Sequence, residues 1–291
     1  MTAIIFGVNG QDGHYLSELL TKEGVEVIGV SRQHDSGESV DISVFEDVRK
    51  LIQKYLPQYI FHLAANSTTK HDALFENEAT IGKGTINILE AVRSFSPASK
   101  IFISGSGLQF QNNGRPIKET DPFEARDAYS VSRIHSVYAA RYFRLLGLKV
   151  YVGYFFNHDS PMRTERHMSR KISAAANRIS AGSTEKIEIG DISVIKEYSF
   201  AGDIVKAVWT LVNQDNIFEA NLGSGLGYSI EDWLDACFKL IGKDWRQYVI
   251  ITEGFVAENK KLVCDASLIR SLGWKPEVSF EQLASMMLNH E

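Results

Sequence analysis

Three glycines close behind the N-terminus constrain this chain more than any other feature. Gly7-Val8-Asn9-Gly10-Gln11-Asp12-Gly13 follows directly on Thr2–Phe6, a run of apolar and β-branched residues. Such a run is the pattern of a parallel strand buried on both faces. Tyr15–Glu23 then reads as a helix with Leu16, Leu19 and Leu20 on one side, and Val25–Val30 reads as a second strand. Strand, glycine turn, helix and strand within about thirty residues make one βαβ unit. Glycine lets the backbone approach a pyrophosphate, and the first turn of the helix offers N–H groups and partial positive charge to it. In that setting the G-x-x-G-x-x-G turn reads as a dinucleotide site rather than a plain tight turn.

The alternation continues. Helices are expected near Val44–Tyr55, over Gly82–Phe95 and over Tyr129–Leu146, with strands at Tyr59–Leu63, Lys100–Ser104 and Lys149–Phe155. This order predicts an α/β fold with a doubly wound parallel sheet. Beyond Asn157 the pattern changes to basic loops and shorter strands, with helices expected over His167–Ala181, Phe200–Val212 and Ser229–Ile241. The expected division is a dinucleotide-binding Rossmann domain over 1–157 and a smaller, mainly substrate-binding lobe over 158–291. A segment at about 197–222 is expected to return to the first domain.

At 291 residues, 44% apolar and 23% charged, the chain can bury a large core. A net charge of −5 without a block of one sign gives no attraction to nucleic acid or anionic lipid. Cys237 and Cys264 lie far apart and the histidines show no metal-ligand spacing, so neither a disulfide framework nor a metal site is expected. No stretch has the length of a membrane helix and no basic leader precedes Thr2, which points to a cytoplasmic protein acting on a small molecule.

Which dinucleotide binds is read at the end of the second strand, where a carboxylate bonds the ribose 2′-hydroxyl of NAD and repels the 2′-phosphate of NADP. Here stand Ser31 and Arg32, a hydroxyl and a guanidinium suited to phosphate, so NADP(H) is expected over NAD(H). Asp41 is either a partner of the adenine amino group or a helix cap. Tyr129 and Arg133 lie one helical turn apart and can face one site. A cation beside a tyrosine favours its phenolate, the form a proton-exchanging tyrosine must reach.

At this point the sequence resembles the extended short-chain dehydrogenase/reductase superfamily, and within it the GDP-mannose 4,6-dehydratases and the related GDP-4-keto-6-deoxymannose reductases. The likeness rests on Gly7–Leu16, Ile60-Phe61-His62-Leu63-Ala64-Ala65-Asn66-Ser67, Phe155-Phe156-Asn157-His158-Asp159-Ser160-Pro161 and Leu272-Gly273-Trp274-Lys275-Pro276, with Ser169-Arg170-Lys171-Ile172 behind the third stretch. The resemblance implies that Gly7, Asn9, Gly10, Gln11, Asp12, Gly13, Ser31, Arg32, Asp41, Ile42, Leu63, Ala64, Ala65, Ser67 and Phe156 line the cofactor, together with Tyr129 and Arg133. It makes Tyr129 the acid/base and gives Ser106 the reacting oxygen to hold. Asn157, Arg163, Met168, Lys171 and Lys196 fall at positions that face a nucleotide sugar, with Arg163 suited to a diphosphate.

Departures from the family pattern bear on the reaction. The lysine of Y-x-x-x-K is Arg133, and the acidic residue that dehydratases carry two places after Ser106 is Leu108. A leucine cannot take a proton from C5, so dehydration would need another carboxylate, such as Glu124 or Asp127. R-D-W is Lys196-Glu197-Tyr198, and the arginine of the late R-P-x-E-V-D is replaced by Phe255. The loop behind Arg32 is shorter than the one that helps dehydratases form tetramers, so a homodimer is expected. The leading expectation is NADP(H)-dependent reduction of a 4-keto group on a GDP-linked hexose. The alternatives are 4,6-dehydration, C4 epimerisation, and a non-catalytic protein that senses NADP(H).

Overall fold

The computed structural model of the chain describes residues 1–32 and 37–289. Its main sheet is built from β1 (Thr2–Phe6), β2 (Glu26–Ser31), β3 (Glu38–Ser39), β4 (Tyr59–His62), β5 (Lys100–Ser106), β6 (Lys149–Phe155) and, far along the chain, a strand at Glu219–Leu222. The helices that connect them are α1 (Gln11–Lys22), α2 (Phe45–Tyr55), α3 (Leu74–Asn77), α4 (Gly84–Phe95) and α5 (Ala128–Leu145). The later elements are β7 (His158–Asp159), α6 (Met168–Ser180), β8 (Ile187–Ile189), β9 (Ile195–Glu197), β10 (Ser199–Phe200), α7 (Ala201–Val212) and β11 (the Glu219–Leu222 strand). They are followed by β12 (Gly227–Ser229), α8 (Ile230–Leu240), β13 (Val249–Ile251), β14 (Lys261–Leu262), α9 (Ser267–Ser271) and α10 (Phe280–Leu288).

The seven strands run in the order β11-β6-β5-β4-β1-β2-β3, and every neighbouring pair is parallel. The order reverses direction between β1 and β4, and at such a switch point the carboxyl ends of the strands leave a crevice for a ligand. Helices α2, α4 and α5 pack side by side while α1 packs on α7, so the sheet is layered on both faces. This covering explains why β1, β5 and β6 are buried at almost every position instead of at alternate ones.

A second buried cluster gathers the inner faces of α6, α8 and α10 around Trp233, which is fully buried and stacks on Tyr198 at 4.7 Å between ring centroids. Trp274 is buried and donates its indole N–H to the Asp203 carbonyl (2.8 Å), tying the C-terminal segment to α7. Both cysteines are buried and unpaired. Among the described residues no helix is long and apolar enough to cross a membrane.

The doubly wound α/β reading holds, with small differences at element ends. Helix α1 begins at Gln11 rather than Tyr15, because the glycine turn itself enters the helix. Helical structure precedes Gly82 through α3 and a π-helical stretch, Glu78–Lys83, for which the sequence offers no periodic signal. Such π turns interrupt the ordinary hydrogen-bond ladder and are set by tertiary packing.

Candidate active site

Gly7 adopts φ +90°, and a Cβ there would lie 2.7 Å from the Ala64 backbone nitrogen. At Gly13 a Cβ would lie 2.3 Å from the Gly7 carbonyl oxygen. Both positions therefore require glycine, and together they press the turn flat against the end of β4 and open the N-terminus of α1 to the crevice. This is a cradle that fits a pyrophosphate. On one side of it a cavity of about 230 Å³ is lined by Asn9, Ser31, Arg32, Asp41, Ile42, Leu63, Ala64 and Ala65, with room for an adenosine. On the other side Gly7, Gly10, Leu63 and Ala65 continue into a cleft of about 470 Å³. Asp41 is not the N-cap of α2; its carboxylate accepts bonds from the Ser43 amide (2.9 Å) and hydroxyl (2.7 Å) at the rim of the adenosine-sized cavity.

The larger cleft brings Ser67, Ser106, Tyr129, Arg133, Phe156, Asn157, Arg163 and Lys196 together. Ser106 ends β5, where its hydroxyl accepts from the Leu108 amide (3.2 Å) and so opens a short 3-10 turn. Tyr129 and Arg133 come from the first turns of α5, whose start is fixed by the Asp127 cap on the Ser130 amide (2.8 Å). The Arg133 guanidinium lies 4.9 Å from the Tyr129 ring centroid and is buried. It donates to the Ser104 carbonyl and to the Ser104 hydroxyl (2.7 Å), which locks α5 to β5. Beside it His62 is fully buried, and that burial, reinforced by the Arg133 charge, lowers its pKa to about 3. At neutral pH the imidazole is uncharged, which leaves Arg133 as the cation of this corner.

Leu108 faces both the main cleft and a smaller adjoining pocket, which Asp127 and Glu258 also line. Glu124 is paired with Arg126 (2.5 Å) and Asp127 is engaged in capping α5. Neither lines the main cleft.

The loop after β6 is joined to the glycine turn. His158 Nε2 lies 2.8 Å from Asp12 Oδ1 and Nδ1 lies 2.7 Å from the Phe156 carbonyl, while Ser160 donates to Gln11 Oε1 (2.7 Å). Both ring nitrogens of this buried histidine face acceptors, so both bonds form only in the imidazolium. Burial opposes that charge, but Asp12 overcomes it and raises the His158 pKa. Burial likewise pushes the Asp12 carboxyl up, and His158 with Arg163 reverses this to about 2. An unfolded histidine titrates near 6.5, so the contribution of His158 is fully present below that pH and is lost as pH rises through its raised value. The contribution of Asp12 is present above 3.8 and is lost as pH falls towards 2. His158→Gln should cost about 1.5–3 kcal/mol near pH 6. In paired urea titrations that difference should shrink between pH 6 and 9; a constant difference would contradict the imidazolium assignment.

Arg163 donates to the His158 carbonyl (2.9 Å), and His167 beside it is lowered to about 4 by burial and the Arg163 charge. Lys196 also faces the cleft, and burial lowers its pKa, with Asp159 opposing and Arg163 adding to the effect. The Lys196 ammonium lies 5.5 Å from the Tyr198 ring centroid and Arg163 is paired with Asp159 (3.6 Å), so two cations and one carboxylate meet at this corner of the cleft. Met168 and Lys171 are not brought to the cleft. Met168 packs on the second core, and the Lys171 ammonium donates to the Glu188 carbonyl (2.8 Å). His167, Ile195 and Asn259 line the cleft without having been singled out, because only the fold brings those segments together.

A model of the GDP-mannose 4,6 dehydratase family matches residues 4–287. The chain is 32% identical to GDP-mannose 4,6 dehydratase 2 of Arabidopsis thaliana, over 99% of this chain and 86% of that protein. Among solved structures it resembles the RMD protein of Pseudomonas aeruginosa in complex with NADPH (19% identity, TM-score 0.87, 99% of this chain and 98% of that chain). It also resembles a UDP-glucose 4-epimerase of Thermotoga maritima with UDP-glucose (22% identity, TM-score 0.87, 100% and 98%). The glycine cradle, the Ser106–Tyr129 corner and the match along nearly the whole chain lead to one assignment: the chain belongs to the GDP-mannose 4,6-dehydratase family.

Proposed function

We propose that the protein is an NADP(H)-dependent reductase of a 4-keto group on a GDP-linked hexose. The observation that carries this reading is a cleft with Ser106, Tyr129 and Arg133 at one corner and Leu108 where dehydration requires a base. A nicotinamide cofactor supplies the hydride that forms the new C–H bond at C4 of the sugar. The Tyr129 hydroxyl gives its proton to the ketone oxygen as that oxygen gains charge, and the Ser106 hydroxyl hydrogen-bonds it. Arg133 provides the positive charge over the tyrosine ring. Arg163 and Lys196 face the diphosphate of the substrate, and Asn157 faces the sugar.

In this reading residues 1–157 bind the cofactor and 158–291 mainly build the substrate site, with about 197–222 returning to the sheet. Ser31 and Arg32 favour NADP(H), and a fold neighbour is described with NADPH. A homodimer is supported by Val131, Tyr138, Tyr142 and Leu145, which leave an exposed apolar stripe along α5. The relatives named as dehydratases favour a second reading, 4,6-dehydration. Against it stands Leu108, with Glu124 paired to Arg126 and Asp127, in the adjoining pocket, engaged in capping α5. The two readings separate on one test, because reduction consumes NADPH and dehydration returns its hydride.

A further inference from the structure

We propose that Glu76 is a cofactor-selectivity residue, whose carboxylate holds Arg32 and weakens the binding of a phosphate at the adenosine 2′ position. This rests on the nicotinamide-dinucleotide reading above. The end of β2 delivers Arg32 to the rim of the adenosine-sized cavity, and its Nη2 lies 3.5 Å from Glu76 Oε1. Asn66 donates to the other carboxylate oxygen (3.0 Å), so Glu76 is held in place from behind. Asp41, which lines the same cavity, carries a second carboxylate whose pKa is lowered by its bonds to Ser43 and further by the nearby Arg32 and Lys83 charges. Among the described residues, the cations Arg32 and Lys83 thus stand near the carboxylates Glu76 and Asp41.

A 2′-hydroxyl brings no charge to this set, whereas a 2′-phosphate brings up to two negative charges. The pair is exposed on both sides and adds little to stability, so the guanidinium can leave Glu76 for a phosphate. The carboxylate stays close by, however, and its repulsion offsets part of what Arg32 gains. The consequence is a site that accepts both NADPH and NADH, with the preference for NADPH held down by Glu76.

The test is the dissociation constant of NADPH and of NADH, measured by nicotinamide fluorescence on the full chain. Glu76→Gln should tighten NADPH about three- to tenfold and leave NADH within about twofold. Added salt should shrink the gain. In an Arg32→Ala background the same change should give less than half of that gain, since the pair acts as one unit. An equal effect on both cofactors, or none on NADPH, would overturn the proposal while leaving the dinucleotide reading intact. Failure of the unaltered protein to bind either cofactor would overturn both. A thermal melt of each variant separates a lost fold from lost selectivity.

Discussion

Tyr129→Phe is expected to lower turnover about 10²–10⁴-fold while leaving NADPH affinity and melting temperature close to those of the unaltered protein. The substitution removes one oxygen. The ring stays in its buried place against the Arg133 guanidinium, and the first turn of α5 keeps its Asp127 cap. What disappears is the proton that the ketone oxygen must receive as hydride arrives, a need confined to the transition state. The loss should therefore fall on kcat, with KM changing little. Ser106→Ala should cost less, because Tyr129 still protonates the oxygen. If Tyr129→Phe retained most of its activity, the acid would lie elsewhere and the role given to this corner would be wrong.

The largest effect on stability is expected at Trp233. Trp233→Ala should cost about 3–5 kcal/mol of unfolding free energy, read as a lower urea midpoint with little change in slope. The indole is fully buried between Tyr198 and Phe280. Its N–H donates to the Ser169 carbonyl (3.0 Å), and the Ser169 hydroxyl donates to Asp159 (2.6 Å), next to His158. The cavity would therefore open directly behind the loop that carries Asn157 and Arg163, and substrate affinity should fall together with stability. Trp233→Phe, which keeps most of the volume but not the donor, should lose less. A cost below about 1 kcal/mol would mean that the second core collapses around the gap.

How much of this was legible in the sequence followed from the range of the interactions. The glycine turn, the buried parallel strands and the amphipathic helices are local patterns, and they yielded the doubly wound sheet with boundaries off by a few residues. Tyr129 and Arg133 were legible because they share one helix turn. Ser106 and Asn157 were legible through the family resemblance.

Contacts that join distant segments were not legible. Glu76 is unremarkable in the sequence, and it gains meaning only when the chain after β4 carries it back to Arg32. His158 has a local backbone partner in the Phe156 carbonyl, and it also has the distant Asp12 carboxylate, which gives it a charge that no sequence pattern announces. The π-helical stretch before α4 escaped for the same reason, since packing rather than periodicity sets it. Lys171 shows the converse, because a position singled out by resemblance turns its ammonium to the Glu188 carbonyl.

The measurement that bears most directly on the account is the absorbance of NADPH over time, with purified protein and GDP-4-keto-6-deoxymannose. The account predicts loss of one NADPH for each sugar reduced, and loss of that activity in Tyr129→Phe. NADPH that binds but is not consumed, in a protein that instead converts GDP-mannose to the 4-keto-6-deoxy sugar, would contradict it and establish a dehydratase whose base is not at position 108.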